Sequence, residues 1–406
     1  MKIIVQKFGG TSLNSAASRR KAIGHILRAR EDGYHVVVIV SAMGRRGDPY
    51  ATDTLLDWIK ANGNSLTPRE QDLLLSCGEI ISAATLSSML QAAQIPSVFL
   101  TGREAGIITD STHGSAQILA VDPARILEEL SANKVVIVCG FQGGTLQGEI
   151  TTLGRGGSDT TAAALGVALK AEYVDIFTDV EGIMTADPRI VRDASVLTRI
   201  TYQELCHLAY QGAKVIHPRA VEIAMQANLP LRVRSTYSDK TGTLVSQGGS
   251  DQELMPVNDR VVTGITYALG LSQIKVEAEQ HDFNLQLNVF KAMAEHKISV
   301  DFINVTPSSL AYTVEDQHAD KAYHLIRSLG YDVRVTPRCA KVAVVGAGMA
   351  GRPGVMAQIV KALTQEEIEI IQSADSHTTI WLLVKEEVVS KAVNALHHQF
   401  QLGHRT

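Results

Sequence analysis

An excess of charge of either sign is missing from this 406-residue chain: 38 Lys and Arg stand against 42 Asp and Glu, a formal net charge of −4. Chains that track a polyanion carry a strongly basic face, so nucleic acid is not an expected partner. Cysteine is scarce and scattered, at Cys77, Cys139, Cys206 and Cys339, with no CxxC pair and no histidine at metal spacing. That excludes a disulfide framework and a zinc ribbon, and the four read as small buried hydrophobes in a reducing compartment. Long apolar runs are lacking too. The most apolar, residues 36–42 and 135–141, fall far below the roughly 20 residues of a membrane span. Residues 3–5 are cut off by Gln6 and Lys7 before they could serve as a leader. A GxxxxGK[ST] phosphate loop and a Ser-His-Asp set are absent as well. What remains, with 45% hydrophobic residues, is a chain able to bury a substantial core. Its length predicts two or three domains at about 150 residues each. The expectation is a soluble cytoplasmic protein with no membrane partner.

Strand-like and helix-like segments alternate through the first 235 residues. A β-branched run at 2–7 precedes a helix-patterned stretch at 15–32, and His35-Val36-Val37-Val38-Ile39-Val40 is continuously apolar, the mark of a strand buried on both faces. Helix patterns at 69–94, 123–133 and 159–170 then alternate with strand patterns at 96–100, 135–141 and 173–178. This predicts an α/β sandwich around a mainly parallel sheet, with ligands bound beyond the carboxyl ends of its strands. Residues 246–259 read as a linker. Past it the chain repeats itself at an offset of 70: Lys291-Ala292-Met293 on Lys361-Ala362-Leu363, Ile298 and Val300 on Ile368 and Ile370, Tyr312 and Val314 on Leu382 and Val384. Each copy suits a ferredoxin-like βαββαβ module.

The polar motifs fall where such a sheet binds ligands. Lys7-Phe8-Gly9-Gly10-Thr11-Ser12 links the first strand to the first helix. Its glycines let the backbone approach a ligand, its amides can donate to phosphate, and Lys7 adds a point charge. Gly154-Arg155-Gly156-Gly157-Ser158-Asp159-Thr160-Thr161 is a glycine cradle around an arginine fork suited to carboxylate or phosphate. Ser158 or Asp159 is expected to cap a helix opening at Ala162. Thr178-Asp179 ends a buried strand, followed by Thr185-Ala186-Asp187-Pro188-Arg189. In Cys77-Gly78-Glu79-Ile80-Ile81, Glu79 either faces water or, if buried, holds a cation such as a substrate ammonium. Gly346-Ala347-Gly348-Met349-Ala350-Gly351 matches a dinucleotide fingerprint. Yet it lies inside the second repeat, too little chain follows it, and Pro353-Gly354 interrupts the helix start, so it reads as a turn in a small module.

These motifs in this order, with Gly212-Ala213-Lys214, resemble the aspartate kinases of the amino-acid kinase family, and the two C-terminal copies resemble ACT regulatory modules. The resemblance implies a three-layer αβα kinase domain with a mainly parallel sheet over 1–245, a linker at 246–259, and ACT modules at 260–337 and 338–406. It implies that ATP and Mg²⁺ are used to phosphorylate the β-carboxylate of L-aspartate, the first step toward lysine/diaminopimelate, threonine and methionine. The chain looks closest to the monofunctional lysine/diaminopimelate-pathway type, since no homoserine dehydrogenase domain follows.

Residue by residue, the resemblance assigns Lys7, Gly9 and Gly10 to the ATP phosphates and Lys214 to the transferred phosphoryl group. Thr178, Asp179, Met184 and Arg189 would line the nucleotide site, Met184 standing where many members carry tyrosine. Ser41, Thr52, Glu79, Arg155 and Ser158 would hold aspartate, and Asp159 would organise Mg²⁺ and the lysines. An amino-acid effector is expected near Asp301, Asn304 and Thr306, and around residues 349–355 of the second copy. A homodimer or larger homo-oligomer is expected, and an internal start at Met255 would yield a short regulatory subunit. The chemistry agrees: a carboxylate nucleophile needs no general base, so phosphoryl transfer reduces to positioning and charge neutralisation. The rivals are a glutamate or N-acetylglutamate kinase, against which the duplicated modules count, and a non-catalytic amino-acid sensor, against which the intact Lys7, Arg155, Asp159 and Lys214 count. A nicotinamide dehydrogenase would rest only on residues 346–351.

Overall fold

Uninterrupted β-branched runs need burial on both faces, and the computed structural model uses them that way. It describes residues 1–63, 65–212, 215–248, 261–278, 284–349 and 351–403. They form two compact units, the first drawn from 1–183, 196–209 and 214–254, the second from 184–195, 210–213 and 255–406.

The first unit is built on an eight-stranded sheet in the order Arg199–Thr201, Thr243–Ser246, Leu231–Ser235, Tyr173–Thr178, Ile3–Phe8, His35–Val40, Val135–Cys139, Ser97–Leu100. Every neighbouring pair is parallel except Leu231–Ser235 with Thr243–Ser246. Phe8 lies opposite Val40 and Phe177 in register, and the Phe8 and Phe177 rings stack at 4.7 Å. The carboxyl ends of the central strands therefore finish level, and the loops that leave them start side by side. Helices Ala16–Glu31 and Pro68–Ala92 bury Ala22, Ile26, Ala83, Leu86 and Leu90 against one face. Helix Gly157–Ala168 covers the other, with Pro218–Gln226 packed against it. A four-stranded sheet, Ile118–Val121, Ile107–Thr109, Gln142–Gly144, Ile150–Thr152, stands apart from the first.

Helix starts follow the local chemistry. Ser15 caps Ala16–Glu31 by accepting from the Ser18 amide, and Thr67 with Glu70 forms a capping box on Pro68–Ala92, each cap worth about 1 kcal/mol. Pro68–Ala92 is long and apolar enough to cross a membrane by length and composition alone, but half of its most apolar window is buried in the protein. It also carries the buried acids Asp72 and Glu79, as a core helix serving a site does. One capping expectation fails. The helix after the arginine cradle opens at Gly157, not Ala162, and its cap is Gly156 at φ 72° with no side-chain bond. Ser158 and Asp159 thus lie inside the first turn, free for other work. Cys77 is exposed rather than buried, on the outer side of its helix.

The second unit carries an antiparallel six-stranded sheet in the order Asp301–Val305, Ser309–Glu315, Gly264–Glu277, Asp332–Val345, Thr379–Lys385, Gln372–Asp375. The 70-residue repeat is visible in its two cores. Ala292, Met293, Ile298, Tyr312 and Val314 are buried in one, and Ala362, Leu363, Ile368, Leu382 and Val384 in the other. The two central strands, each of 14 residues, run through both modules. Gly264 to Ala268 pair with Lys341 to Val345, and Gln273 to Glu277 with Asp332 to Thr336. Residues 184–195, which sequence order puts in the kinase stretch, also belong here: Ala186, Val191 and Ala194 join the second core. There Thr185 Oγ1 meets the buried His397 Nε2 at 3.0 Å. In the dinucleotide-like stretch the helix begins only at Val355, after Gly354, while Ala350 lies outside the described residues.

Candidate active site

Four strand ends and one helix start converge in the first unit. After Phe8 the chain makes a single helical turn, Gly10–Ser12, whose backbone packs on the loop leaving His35–Val40. The Gly44 amide donates to the Gly10 carbonyl at 3.0 Å, and a Cβ at Gly10 would lie 2.5 Å from the Gly44 carbonyl oxygen. Gly10 is therefore required by the protein's own backbone. Gly9 is different: a Cβ there would meet only the Lys7 ammonium at 3.5 Å and the Phe177 carbonyl at 3.7 Å. It is the glycine that leaves room for a ligand.

The Lys7 ammonium lies over this turn and binds Asp159 Oδ1 at 2.7 Å, with both side chains nearly buried. The other carboxylate oxygen of Asp159 accepts the His217 amide at 3.1 Å. His217 in turn explains the left-handed cap, because a Cβ at Gly156 would lie 2.1 Å from its ring. Ser158 is buried beside Gly140, the residue after the strand Val135–Cys139. Arg155 stands exposed on the cradle and makes no ion pair or hydrogen bond among the described residues. The bare amides of a helix start, with Lys7 beside them, favour an anion here.

Glu79 does not face water; it is 2% exposed. Its Oε1 accepts the Ala42 amide at 3.0 Å, and its Oε2 is buried without a partner among the described residues. Burial, opposed by that bond and by the backbone amide of Glu79 itself, pushes its carboxyl from 4.5 up to about 8. A buried acid with one idle oxygen is poised for a cation. Ser41 follows the strand His35–Val40, its amide bonded to the Phe8 carbonyl at 3.2 Å, and Thr52 opens the helix Thr52–Ala61.

The structure thus brings together Lys7, Gly9, Gly10, Ser41, Glu79, Ser158 and Asp159, with Thr52 at the start of its helix and Arg155 on the adjoining loop. Thr178 ends the neighbouring strand and Asp179 follows it, held by Arg45 at 2.7 Å. Met184 and Arg189 belong to the second unit, where Met184 packs on the core and Arg189 forks onto Asp187 at 2.7 Å, itself bonded by Tyr267. Lys214, Met255 and most of the expected linker lie outside the described residues. Of the effector candidates, Asp301 is paired with Lys341 and Thr306 closes a turn with Ser309, while Asn304 is exposed on the edge strand. Sequence reading missed Arg45, Asp72, His217 and Arg219. His217 and Arg219 carried a faint signal, standing just past the Gly212-Ala213-Lys214 motif.

A mainly parallel sheet whose strand ends gather a lysine, a glycine turn and an idle buried acid offers a binding edge for a small charged molecule. Residues 2–235 match the amino acid kinase family and residues 334–398 the ACT domain. The chain is 55% identical to aspartokinase 1 of Bacillus subtilis, over 99% of this chain and all of the relative. It is similar to the crystal structure of E. coli aspartokinase III in complex with aspartate and ADP (R-state), with a TM-score of 0.79 and 27% identity over 98% of this chain and 99% of that one. The lysine and aspartate complex of the same enzyme (T-state) gives a TM-score of 0.75 and 26% identity, covering 98% and 100%. The chain belongs to the amino acid kinase family, in its aspartokinase branch.

Proposed function

We infer that the chain transfers the γ-phosphoryl group of ATP to the β-carboxylate of L-aspartate, giving 4-phospho-L-aspartate and ADP, as its full-length aspartokinase relatives imply. The observation that carries the substrate class is Glu79, whose idle buried oxygen asks for an ammonium. Glu79 takes the α-ammonium of aspartate and Arg155 its α-carboxylate, with Ser41, Thr52 and Ser158 as hydroxyl partners. The β-carboxylate is then the end left to react. One of its oxygens attacks the γ-phosphorus as the bond to the β-phosphate oxygen breaks, and no proton need be removed first. Lys7 and the amides of the Gly9-Gly10 turn neutralise phosphate charge, and Asp159 holds Lys7 in place until nucleotide arrives.

Lys214 adds a second ammonium in this reading, and Thr178, Asp179, Met184 and Arg189 contact the nucleotide; for Met184, Arg189 and Lys214 the assignment rests on the resemblance alone. The donor set suits a Mg²⁺ ion carried in on the phosphates: Asp159 offers one hard carboxylate, and the described residues include no group of three acids, histidines or cysteines able to hold a cation unaided. When bound, that ion would supply further charge neutralisation. The paired ACT-like cores fit an end-product amino acid as effector, near Asn304 and around residues 349–355. The exposed edge strand Asp301–Val305, with Ile303 and Val305 open to solvent, supports pairing of copies into a homodimer or larger assembly.

An ADP-release assay with aspartate, glutamate and no acceptor tests the reaction. Aspartate alone should support turnover; equal turnover with glutamate, or none with either, overturns it. Adding lysine, threonine and meso-diaminopimelate singly identifies the effector, and inhibition by none of them removes the regulatory reading.

A further inference from the structure

We propose that Asp72 is a positioning residue for substrate: from beneath the site it fixes the place of Arg155 and so sets the span between the groups that hold the two charged ends of aspartate. The proposal rests on the reading of Arg155 and Glu79 given above.

Asp72 is wholly buried on the helix Pro68–Ala92, and its carboxylate gathers four donor groups. Oδ1 accepts the Thr152 hydroxyl at 2.5 Å and the Gly114 amide at 3.0 Å. Oδ2 accepts the Thr152 amide at 3.0 Å, the His113 ring at 2.9 Å and again the Gly114 amide at 3.1 Å. Among the described residues no lysine or arginine pairs with it. A buried charge held only this way needs nearly all of those bonds at once, so it fixes the distance between the donors.

Those donors belong to two segments that carry the cradle. Thr152 ends the strand Ile150–Thr152, three residues before Arg155. His113 and Gly114 lie on the loop beside it, where the Ala116 amide donates to the Thr152 carbonyl at 2.9 Å. Arg219 ties the same pieces from the other side, reaching the Leu153 carbonyl at 3.2 Å and the Ala116 carbonyl at 3.3 Å. The Gly157 amide then closes the cradle onto the Gly154 carbonyl at 3.0 Å. Arg155 itself has no partner among the described residues, so its location is inherited from this platform.

Glu79 stands seven residues from Asp72 on the same helix, two turns along one face. One rigid element thus carries the ammonium partner directly and the carboxylate partner through Thr152. Substrate discrimination by length follows: aspartate and glutamate share the α-ammonium and α-carboxylate, but only a fixed clamp decides where the distal carboxylate falls.

The test is a double-mutant cycle in the full-length enzyme, reading KM for aspartate, KM for ATP and kcat separately. Arg155→Ala should raise KM for aspartate about 100-fold and Asp72→Asn about tenfold, with KM for ATP within twofold in both. If Asp72 acts through Arg155, the double variant matches Arg155→Ala alone. Effects that multiply in the double variant overturn the proposal. So does an Asp72→Asn enzyme with unchanged KM for aspartate, or one that loses kcat and ATP affinity alike. Should Asp72→Asn not fold, Thr152→Val removes one donor only: a rise of about threefold in KM for aspartate that vanishes in the Arg155→Ala background supports the link, and no rise overturns it. An Arg155→Ala enzyme with wild-type KM sinks the underlying reading of Arg155 instead.

Discussion

Two stretches of one helix treat a buried carboxylate in opposite ways. Around Asp72 four donor groups converge and both oxygens are saturated. Two turns on, Glu79 has an amide for one oxygen and, among the described residues, no side-chain or backbone partner for the other. Both acids are buried, and burial pushes the Glu79 carboxyl up to about 8. A saturated buried group is scaffold, because its bonding capacity is spent inside the protein. An unsaturated one keeps a standing cost that a ligand can relieve. The difference separates support from site without reference to any relative.

Lys7 could break that comparison, and carries the largest expected effect. Its ammonium is already matched by Asp159 at 2.7 Å, so by the saturation rule it would be scaffold. We expect Lys7→Ala to lower kcat about 1,000-fold, since phosphoryl transfer leans on fixed positive charge, while the melting temperature moves by only a few degrees. A steady-state assay with near-wild-type turnover would show that saturation alone identifies scaffold and that Lys7 leaves the phosphates to other groups.

The same comparison explains what the sequence could tell. Continuous runs such as His35–Val40 announce buried parallel strands, and the glycine turns at their ends announce a ligand-binding edge. Repeat equivalences such as Tyr312 with Leu382 mark two like cores. Saturation is not legible. Asp72 sits in Arg69-Glu70-Gln71-Asp72, which reads as an exposed first turn, and its partners are 41, 42 and 80 residues away. Glu79 left two readings open because a lone acid between apolar residues does not declare which way it faces. Gly156 was missed as a cap because its left-handed backbone is dictated by the distant His217 ring. Residues 184–195 lie within the kinase stretch of the sequence yet pack with the second unit: Ala186, Val191 and Ala194 have no local period, and only tertiary packing shows which core they join.

Glu79→Gln sharpens the comparison from the unsaturated side. Losing the partner of the ammonium should lower kcat/KM for aspartate about 100-fold with little change in KM for ATP. Its stability should change in the other direction. A carboxyl at about 8 when folded and near its ordinary value when unfolded binds more protons in the native state. Wild-type stability therefore falls as pH rises from about 4.5 to about 8, by a few kcal/mol in all. Urea unfolding should find the variant level with wild type near pH 5 and more stable at pH 8; parallel pH profiles would place Glu79 in water. Substrate linkage follows the same sign, since an ammonium binds the ionised form. KM for aspartate should fall with rising pH up to about 8 and level off above it, and this slope should be missing in Glu79→Gln.

The smallest effect belongs to a pair that looks equally saturated but lies in water. Arg45 holds Asp179 at 2.7 Å, with Arg45 mostly exposed and Asp179 partly so. Solvent screening leaves such pairs about 0–1 kcal/mol, so saturation there costs Asp179 little freedom to meet a nucleotide. Arg45→Ala should shift the melting temperature by less than about 2 °C and change KM for ATP less than threefold, both differences fading in high salt. A larger, salt-resistant rise in KM for ATP would mean that Arg45 itself grips the nucleotide. The division between spent and idle groups would then have to extend from the buried helix face to the exposed mouth of the site.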